Sequence, residues 1–165
     1  MSDTDYDDSD VKIVTKDIKL ENPVLIEGFP GIGLVGNIAS QQIIDELDMT
    51  YVGSIDSRYF PPIAVLYEGL INMPVRIYES IEHNLIIVVS DIPINPSVSY
   101  DVSKALVEWA KSINVKEIVS IAGIATMGEE HKVFGAATDK VMLEKIKDKV
   151  ELFQMGTIIG ISGNG

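Results

Sequence analysis

Residues Pro23–Ser40 read PVLIEGFPGIGLVGNIAS, a short apolar strand followed by a glycine-rich turn and the first turns of a helix. As a bare pattern, the glycines at 31, 33 and 36 match the dinucleotide-binding fingerprint, and Asp56 stands about 20 residues further on, where that motif carries its ribose-binding acid. Such a turn aims backbone N–H groups at a phosphate from the N-terminus of a helix. One hypothesis is therefore that Gly31–Gly36 forms a nucleotide site.

The residues around these glycines favour a different interpretation. Phe29 and Pro30 precede the first glycine of the fingerprint, which makes the turn stiffer and more apolar than a phosphate cradle, and Asn37 stands where a phosphate-binding loop would carry lysine. Glycine also tolerates positive φ angles and lets a helix approach a sheet closely. We interpret this segment as a turn that defines the fold, with ligand binding as the alternative; its residues are Gly28, Pro30, Gly31, Gly33 and Gly36.

The composition predicts one acidic domain. With 165 residues, of which 46% are hydrophobic, the chain is long enough for a single well-buried core. Its net charge of −12 argues against nucleic acid as a partner, because phosphate binding relies on clustered Lys and Arg. Residues 1–10 contain five aspartates and no basic residue, and we expect them to be a disordered tail ahead of a single α/β domain over residues 11–165.

The cysteine content and the apolar runs predict the compartment. The chain contains no cysteine, which excludes a disulfide framework and a cysteine nucleophile and is typical of a reducing interior. The longest unbroken apolar run, Leu85–Val89, is far shorter than the roughly 18 residues that a membrane span requires. We expect a soluble cytoplasmic protein that does not bind membranes.

Alternating strand and helix patterns predict an α/β fold, a three-layer αβα sandwich with a mostly parallel central sheet and added antiparallel hairpins. One hairpin is expected across the loop Glu68–Pro74, and Leu85–Ser90 is expected to be a fully buried central strand. The other predicted strands are Val11–Asp17, Val24–Ile26, Tyr51–Ile55, Ile63–Tyr67, Val75–Glu79, Glu117–Ala125, Val133–Ala137 and Thr157–Ile161.

Three helices are predicted from apolar residues that recur every three or four positions. The first should bury a stripe formed by Val35, Ile38, Ala39, Ile43 and Leu47. The second, capped by Ser97 or Ser99, should bury Val98, Val102, Ala105, Leu106, Trp109 and Ile113. The third, capped by Thr138, should turn Val141, Ile146 and Val150 inward.

The end of the sequence suggests an incomplete layer. The last predicted strand, Thr157–Ile161, leads into a glycine-containing turn at residues 162–165, and no helix follows it. Sheets of this class rarely leave a face bare. We expect either that the domain is incomplete at its C-terminal end or that another copy or a partner covers the bare face.

The residues capable of catalysis do not form a recognisable catalytic set in this sequence. His83 and His131 lie in charged turns without a second ligand one helical turn away, so no metal site is predicted. Ser162 lacks the second glycine of a G-x-S-x-G elbow and an evident base. Asp91 follows the buried strand Leu85–Ser90 and is the best-placed crevice carboxylate, although capping of a loop is the plainer role. The sequence predicts no catalytic residue and no cofactor.

One loop combines features of a protein interface. Arg58, Tyr59 and Phe60 place a cation beside two aromatic rings, and Pro61-Pro62 makes the loop rigid. Such anchors are typical of binding surfaces, and the same mixture is common at a buried loop corner. The sequence leaves both interpretations open.

The segment Glu27–Ala39, EGFPGIGLVGNIA, resembles the signature turn of the proteasome-assembly-chaperone family, in which GFPG-x-G-x-V-G-x-x-A opens the domain. The likeness continues through DSRYFPP at 56–62, SDIP at 90–93 and GTIIGISG at 156–163. It therefore spans residues 11 to 163, and archaeal-type members are the most similar.

This resemblance implies a domain similar to the nucleoside-phosphorylase scaffold without its active site, which self-associates and helps proteasome α subunits assemble without consuming ATP. It implies a binding protein rather than an enzyme. Archaeal members typically dock through a C-terminal hydrophobic-Tyr-any tripeptide, whereas residues 163–165 here read GNG. Two alternatives remain: a nucleotide- or nucleoside-binding enzyme that uses Gly31–Gly36 with Asp56 or Asp91, and an interaction module of the same family without a proteasome role.

Overall fold

The computed structural model describes residues 10–129 and 131–156, which fall into two compact units divided after Gly123. In the first unit, the strands are β1 (Val11–Thr15), β2 (Val24–Gly28), β3 (Thr50–Ser57), β4 (Val65–Tyr67), β5 (Leu70–Asn72), β6 (Val75–Ser80), β7 (Leu85–Ser90) and β8 (Glu117–Ser120). The helices of this unit are α1 (Val35–Glu46) and α2 (Pro96–Ser112). The predicted acidic tail, apart from Asp10, and the predicted strand Thr157–Ile161 lie outside the described residues.

Six of these strands form one mixed sheet in the order β1-β3-β6-β7-β2-β8. Strand β2 pairs in parallel with β7 and with β8, whereas the pairs β1–β3, β3–β6 and β6–β7 are antiparallel. The α/β class is confirmed, but the expected mostly parallel sheet is corrected to a mixed one. The reason is that no described helix lies between β3 and β6 or between β6 and β7, and without a crossover these strands return antiparallel.

The two helices cover opposite faces of the sheet, which confirms three layers. Along β7, Ile86 and Val88 pack in the larger core with α2, whereas Ile87 and Val89 pack with Ile44 of α1. This division follows from the alternation of side chains along a strand. Every residue of β7 after Leu85 is buried, so the prediction of a central buried strand is confirmed.

Helix α2 buries the predicted stripe, but its cap differs from the prediction. Val98, Val102 and Leu106 are buried, with Ala105, Trp109 and Ile113 packed against the same core. The cap is Asn95, whose side-chain oxygen accepts hydrogen bonds from the Ser97 N–H and hydroxyl, each at 2.9 Å. Pro96 follows at the first helical position, where its missing N–H is not needed.

Helix α1 is rotated relative to the prediction. Its buried residues are Gly36, Ser40 and Ile44, while Val35 and Ile38, two members of the predicted buried stripe, are exposed. Small residues lie against the sheet because the helix approaches β2 too closely for larger side chains. Ile43 and Leu47, two other members of the predicted stripe, are half-buried and pack against the core that contains Ile44. Apolar periodicity therefore indicated the buried face correctly towards the end of the helix and wrongly at its start.

The expected hairpin between Ile63–Tyr67 and Val75–Glu79 is also corrected. Strands β4 and β5 pair with each other in a separate two-stranded sheet, and β6 joins the main sheet instead. Glu68 and Gly69 connect β4 to β5 with φ angles of 48° and 80°. Positive φ at both central residues is the signature of the type I′ turn that joins tightly paired strands.

The second unit is small and contains β9 (Phe134–Gly135), α3 (Lys140–Ile146) and β10 (Glu151–Leu152). The two strands pair in parallel, and Phe134 and Phe153 pack edge to face with ring centroids 5.6 Å apart. Asp139, rather than the predicted Thr138, caps α3 by accepting a 2.8 Å hydrogen bond from the Met142 N–H. Val141 is exposed, contrary to the inward orientation expected from the sequence.

Candidate interaction surfaces and the glycine turn

The glycines at both ends of the signature segment lie where the backbone of α1 meets its neighbours. A Cβ at Gly28 would overlap the Gly36 carbonyl oxygen and the side chain of Ser40. A Cβ at Gly36 would overlap the carbonyl oxygen of Ile121 and lie 2.9 Å from that of Phe29. The residue type at 28 and 36 is thus dictated by packing of α1 on β2 and on the chain that follows β8.

In the middle of the turn, the backbone φ angle and the open space around each residue, rather than close packing, decide which residue types fit. Gly33 has a φ of 66°, which favours glycine, and it lies in a single 3₁₀ turn, Ile32–Leu34. A Cβ at Gly31 would meet no atom within 4 Å, and Pro30 beside it is half-buried. Gly123, which the sequence analysis missed, also packs against the turn. A Cβ at this position would overlap the Ile32 carbonyl oxygen.

Asp56 does not lie beside this turn. It is in β3, and strands β6 and β7 separate β3 from β2. With neighbouring strands about 4.8 Å apart, the two strands are roughly 14 Å apart. The side chain of Asp56 is engaged locally, where Oδ1 accepts a 2.8 Å hydrogen bond from the Ser57 N–H. The structure therefore does not assemble the glycine–acid pair of a dinucleotide site.

Rotation of α1 leaves an apolar surface at the start of the helix, which we call the α1 patch: Ile32, Leu34, Val35 and Ile38. These side chains are between 44% and 59% exposed. Residues 28–44 contain no charged side chain, in a protein of which 23% is charged. Contiguous apolar surface without charge is typical of a protein-binding site.

A second apolar surface is the β4–β5 hairpin. Leu66 and Ile71 lie opposite each other in the register and are 73% and 75% exposed. On the other face of the hairpin, the opposite pair Tyr67 and Leu70 is also exposed. The hairpin therefore presents large apolar side chains on both faces. The apolar run Ile63–Tyr67 indicated a strand, and only the separate sheet shows that large apolar side chains are exposed on both faces.

Asp91 belongs to a buried ion pair that the sequence analysis did not foresee. Its carboxylate accepts a hydrogen bond from Arg76, whose side chain is only 7% exposed. Arg76 also donates to the Tyr78 hydroxyl at 3.0 Å and to the Met73 carbonyl at 3.1 Å. A charged residue inside the apolar strand β6 was the one signal that could have revealed this pair.

The hydrogen bonds around Arg76 and Asp91 keep Arg76 charged and fix the base of the β4–β5 hairpin. Burial lowers the pKa of Arg76, but the hydrogen bond to Asp91 and the electrostatic influence of the neighbouring Tyr78 and Asp91 side chains outweigh it, and the net pKa lies above the ordinary value. The Asp91 N–H also donates to the Pro74 carbonyl at 2.9 Å. Arg76 and Asp91 thus hold residues 73 and 74, which follow β5, against the main sheet.

The loop with Arg58, Tyr59 and Phe60 divides into an exposed and an anchored part. Arg58 forms a 2.6 Å ion pair with Asp10 and lies 5.0 Å from the centroid of the Tyr59 ring, and both side chains are exposed. Phe60 packs against the large core. A cavity of about 410 Å³ lies beside this loop, lined by residues 56–58, 60–64 and 73–74.

The described part of the chain contains neither a metal-binding cluster nor a membrane-spanning helix. Within residues 10–129 and 131–156, His, Asp and Glu side chains do not gather into a group of three that could hold a metal ion. None of the helices described there is long and apolar enough to cross a bilayer. Ser162 lies outside the described residues, and His83 forms a 3.0 Å contact with the Ser80 hydroxyl through Nδ1.

Comparison with known proteins supplies the context for these surfaces. The model of the PAC2 family matches residues 25–164. An uncharacterised protein of Methanocaldococcus jannaschii, MJ0106, is 38% identical over 147 residues, which is 89% of this chain and 60% of that protein. The chain thus spans less than two thirds of this relative's length.

Solved structures agree in fold. The crystal structure of Pyrococcus furiosus PbaA, described as an archaeal homologue of proteasome-assembly chaperone, matches with a TM-score of 0.83 and 32% identity, over 93% of this chain and 67% of PbaA. Pyrococcus furiosus PbaB, described as an archaeal proteasome activator, matches with a TM-score of 0.78 over 94% of this chain and 73% of PbaB. At 23% identity, the second match shows the fold alone.

Proposed function

This chain belongs to the PAC2 family of proteasome assembly chaperones, and on that premise we propose that it is a chaperone-like binding protein, not an enzyme, that assists the assembly of proteasome α subunits. It acts without consuming ATP, as a homo-oligomer and in the cytoplasm. The observation that carries the proposal is the α1 patch, an exposed and uncharged apolar surface within the signature segment of the family.

The position of the α1 patch is suited to reversible binding. Helix α1 is secured by its other face, where Gly36, Ser40 and Ile44 pack on the sheet, so the exposed side chains are not needed to hold the helix in place. An apolar surface on a rigid element loses little conformational entropy when a partner covers it. An unassembled subunit exposes apolar surface of its own, which the α1 patch can cover and later release.

The test is a binding assay between this chain and purified α subunits of the proteasome from the same source, without nucleotide. Size-exclusion chromatography coupled to light scattering should detect a complex, and the chain should increase the yield of assembled α rings equally with and without ATP. Ile38→Lys should weaken the complex, because it places a charge in the α1 patch.

The matched control is Tyr100→Lys. Tyr100 is a large exposed side chain on α2, on the opposite face of the sheet, and the substitution changes the net charge by the same amount. If both variants bind as the unmodified chain does, the α1 patch is not the docking surface. If the unmodified chain binds no α subunit at all, the alternative of a family module without a proteasome role replaces the proposal.

Nucleotide binding at Gly31–Gly36 is tested separately by thermal shift. A ligand present at about 100 times its dissociation constant should stabilise the protein by about 2.7 kcal/mol. We expect no shift with any nucleoside or nucleotide, since packing accounts for Gly28 and Gly36 and since two strands, β6 and β7, lie between β2 and the strand that carries Asp56. A clear shift that Gly31→Gln abolishes would favour the enzyme alternative.

A further inference from the structure

We propose that the α1 patch and one face of the β4–β5 hairpin form a single docking surface, so that one partner covers both at the same time. This inference rests on the proposed function, and the occupant of the surface is the α subunit proposed there. The part contributed by the hairpin, which we call the hairpin face, consists of Leu66, Ile71 and Met73, all of them exposed.

The strand register places both surfaces at the same end of the main sheet. Gly28, the last residue of β2, lies opposite Val89 of β7. Ser90, the next residue of β7, lies opposite Val75, the first residue of β6. The α1 patch begins four residues after Gly28, and the hairpin face ends two residues before Val75. Since β7 alone separates β2 from β6, the two strands lie roughly 10 Å apart, and one partner can reach both surfaces.

The side chain of Arg76 connects the two surfaces directly. It donates to the side-chain oxygen of Gln41 in α1 at 3.4 Å and to the carbonyl oxygen of Met73 at 3.1 Å. The same guanidinium is buried and forms the ion pair with Asp91. Helix α1 and the base of the hairpin are therefore fixed relative to each other before a partner arrives, which lowers the conformational entropy lost on binding.

The exposed areas indicate that one partner needs both surfaces. The side chains of the α1 patch offer roughly 400 Å², about half of the area per partner that a specific interface of standard size buries. The hairpin face offers roughly 400 Å² more, counted on that face alone. The two surfaces together reach the standard size, whereas neither reaches it by itself.

The charge distribution indicates the chemistry of the partner. Residues 28–44 and 69–75 contain no charged side chain, although the chain as a whole has a net charge of −12. The partner surface opposite these segments is accordingly apolar and uncharged. Interfaces between identical or similar subunits are the more apolar kind of protein interface. A subunit that has not yet assembled presents such a surface.

The two faces of the hairpin differ in how open they are at the base. On the opposite face, Val65 and Asn72 are half-buried. The hairpin face stays exposed as far as Met73, which also lines the cavity of about 410 Å³ beside the loop 60–64. A partner that lies on the hairpin face can therefore pack against the hairpin along its whole length.

The experiment compares two double variants of the full chain in the α-subunit binding assay. Leu66→Lys with Ile71→Lys places charge on the hairpin face and should weaken the complex about tenfold or more. Tyr67→Lys with Leu70→Lys is the matched control, because it makes the same change of charge on the opposite face of the same hairpin. The control should bind within about threefold of the unmodified chain, and both variants should keep its urea midpoint.

Thiol protection keeps the inference testable if the lysine variants fail to fold. Because the chain has no cysteine, Val35→Cys, Ile71→Cys and Leu70→Cys each introduce a single thiol, whose alkylation is followed by mass spectrometry. Added α subunit should protect the thiols at 35 and 71 with the same midpoint concentration, since one partner covers both. The thiol at 70, on the opposite face, should stay reactive.

The outcomes separate this inference from the proposed function. If the unmodified chain binds α subunits and the two double variants behave alike, the inference is overturned and the proposed function stands. Protection of the thiol at 71 by the chain alone, rising with its concentration, would mean that a second copy occupies the hairpin face, which also overturns the inference. If the unmodified chain binds no α subunit, both proposals are overturned.

Discussion

At the residue scale, Gly36 shows how backbone approach fixes a residue type. The carbonyl oxygens of Phe29 and Ile121 occupy the space that a side chain would need. Alanine would favour the helix by about 1 kcal/mol relative to glycine, but the overlap with two backbone atoms costs more than that. We expect Gly36→Ala to lower the free energy of unfolding by about 2 kcal/mol, measured by urea titration.

Gly31→Ala is the control for this prediction. It lies in the same turn, and its Cβ would meet no atom within 4 Å. Its free energy of unfolding should stay within about 0.5 kcal/mol of that of the unmodified chain. Equal stability of the two variants would show that packing does not explain the glycine at 36.

The ion pair between Arg76 and Asp91 gives a second prediction at this scale. Asp91→Asn leaves a buried guanidinium without its charged partner, which costs about 3–5 kcal/mol at a fully buried site. Because the Asp91 side chain is 31% exposed, we expect a smaller loss, of about 2 kcal/mol. Calorimetry should show a lowered Tm, and the loss should not vary with the protonation of Arg76, since its raised pKa keeps it charged.

An exposed ion pair in the same unit supplies the comparison. Arg58 pairs with Asp10 at 2.6 Å, and its side chain is 70% exposed. Arg58→Met should change the stability by less than about 1 kcal/mol, as exposed pairs usually do. A larger loss for Arg58→Met than for Asp91→Asn would contradict the assignment of Arg76 and Asp91 as the structural pair.

At the element scale, the cap of α2 is open to direct test. Asn95→Ala removes the oxygen that accepts from the Ser97 N–H, and we expect a loss of about 1 kcal/mol in urea unfolding. Asn95→Asp keeps the acceptor and should be nearly neutral. Ser97→Ala removes only a hydroxyl that donates to Asn95, so its effect should be smaller than that of Asn95→Ala. The reverse order would mean that Ser97 is the cap.

The elements that could be predicted from the sequence are those in which one periodicity dominates. Helix α2 and strand β7 bury what their patterns indicate. Helix α1 does so only towards its end, where Ile43 and Leu47 pack against the core. At its start, Gly36 and Ser40 permit an approach to the sheet that larger apolar side chains would prevent, and Val35 and Ile38 are exposed. The local pattern could not predict which strands pair either. Strand β6 (Val75–Ser80) pairs with β3 and β7 rather than with β5, the strand next to it in sequence.

The candidate site, like the secondary structure, could be predicted from the sequence only in part. The exceptional character of the segment around Gly28 and Gly36 was visible in the sequence, and the contacts of Gly28 with Gly36 and Ser40 are local, whereas the closest contact of Gly36 is with Ile121, far along the chain. The partner of Asp91 is Arg76, on a neighbouring strand. Residue patterns identify candidate groups, but which groups meet is decided by strand order.

At the scale of the whole molecule, net charge and apolar surface oppose each other in self-association. Two copies with charges of −12 repel, and salt screens that repulsion within about 10 Å at 0.1 M. Raising the salt concentration from about 0.05 to about 0.5 M should therefore strengthen the proposed self-association, as measured by sedimentation velocity. An interface held by ion pairs would weaken under the same change.

The strand order of the mixed sheet also determines when each strand can pair while the ribosome is synthesising the chain. Val24 of β2 lies opposite Leu85 and Glu117, so an early-made strand waits for two late-made neighbours. The antiparallel run β3-β6-β7 needs only segments close to one another along the chain and can pair sooner. During synthesis, β2 therefore lacks both of its strand neighbours until residues 85–90 and 117–120 have left the ribosome.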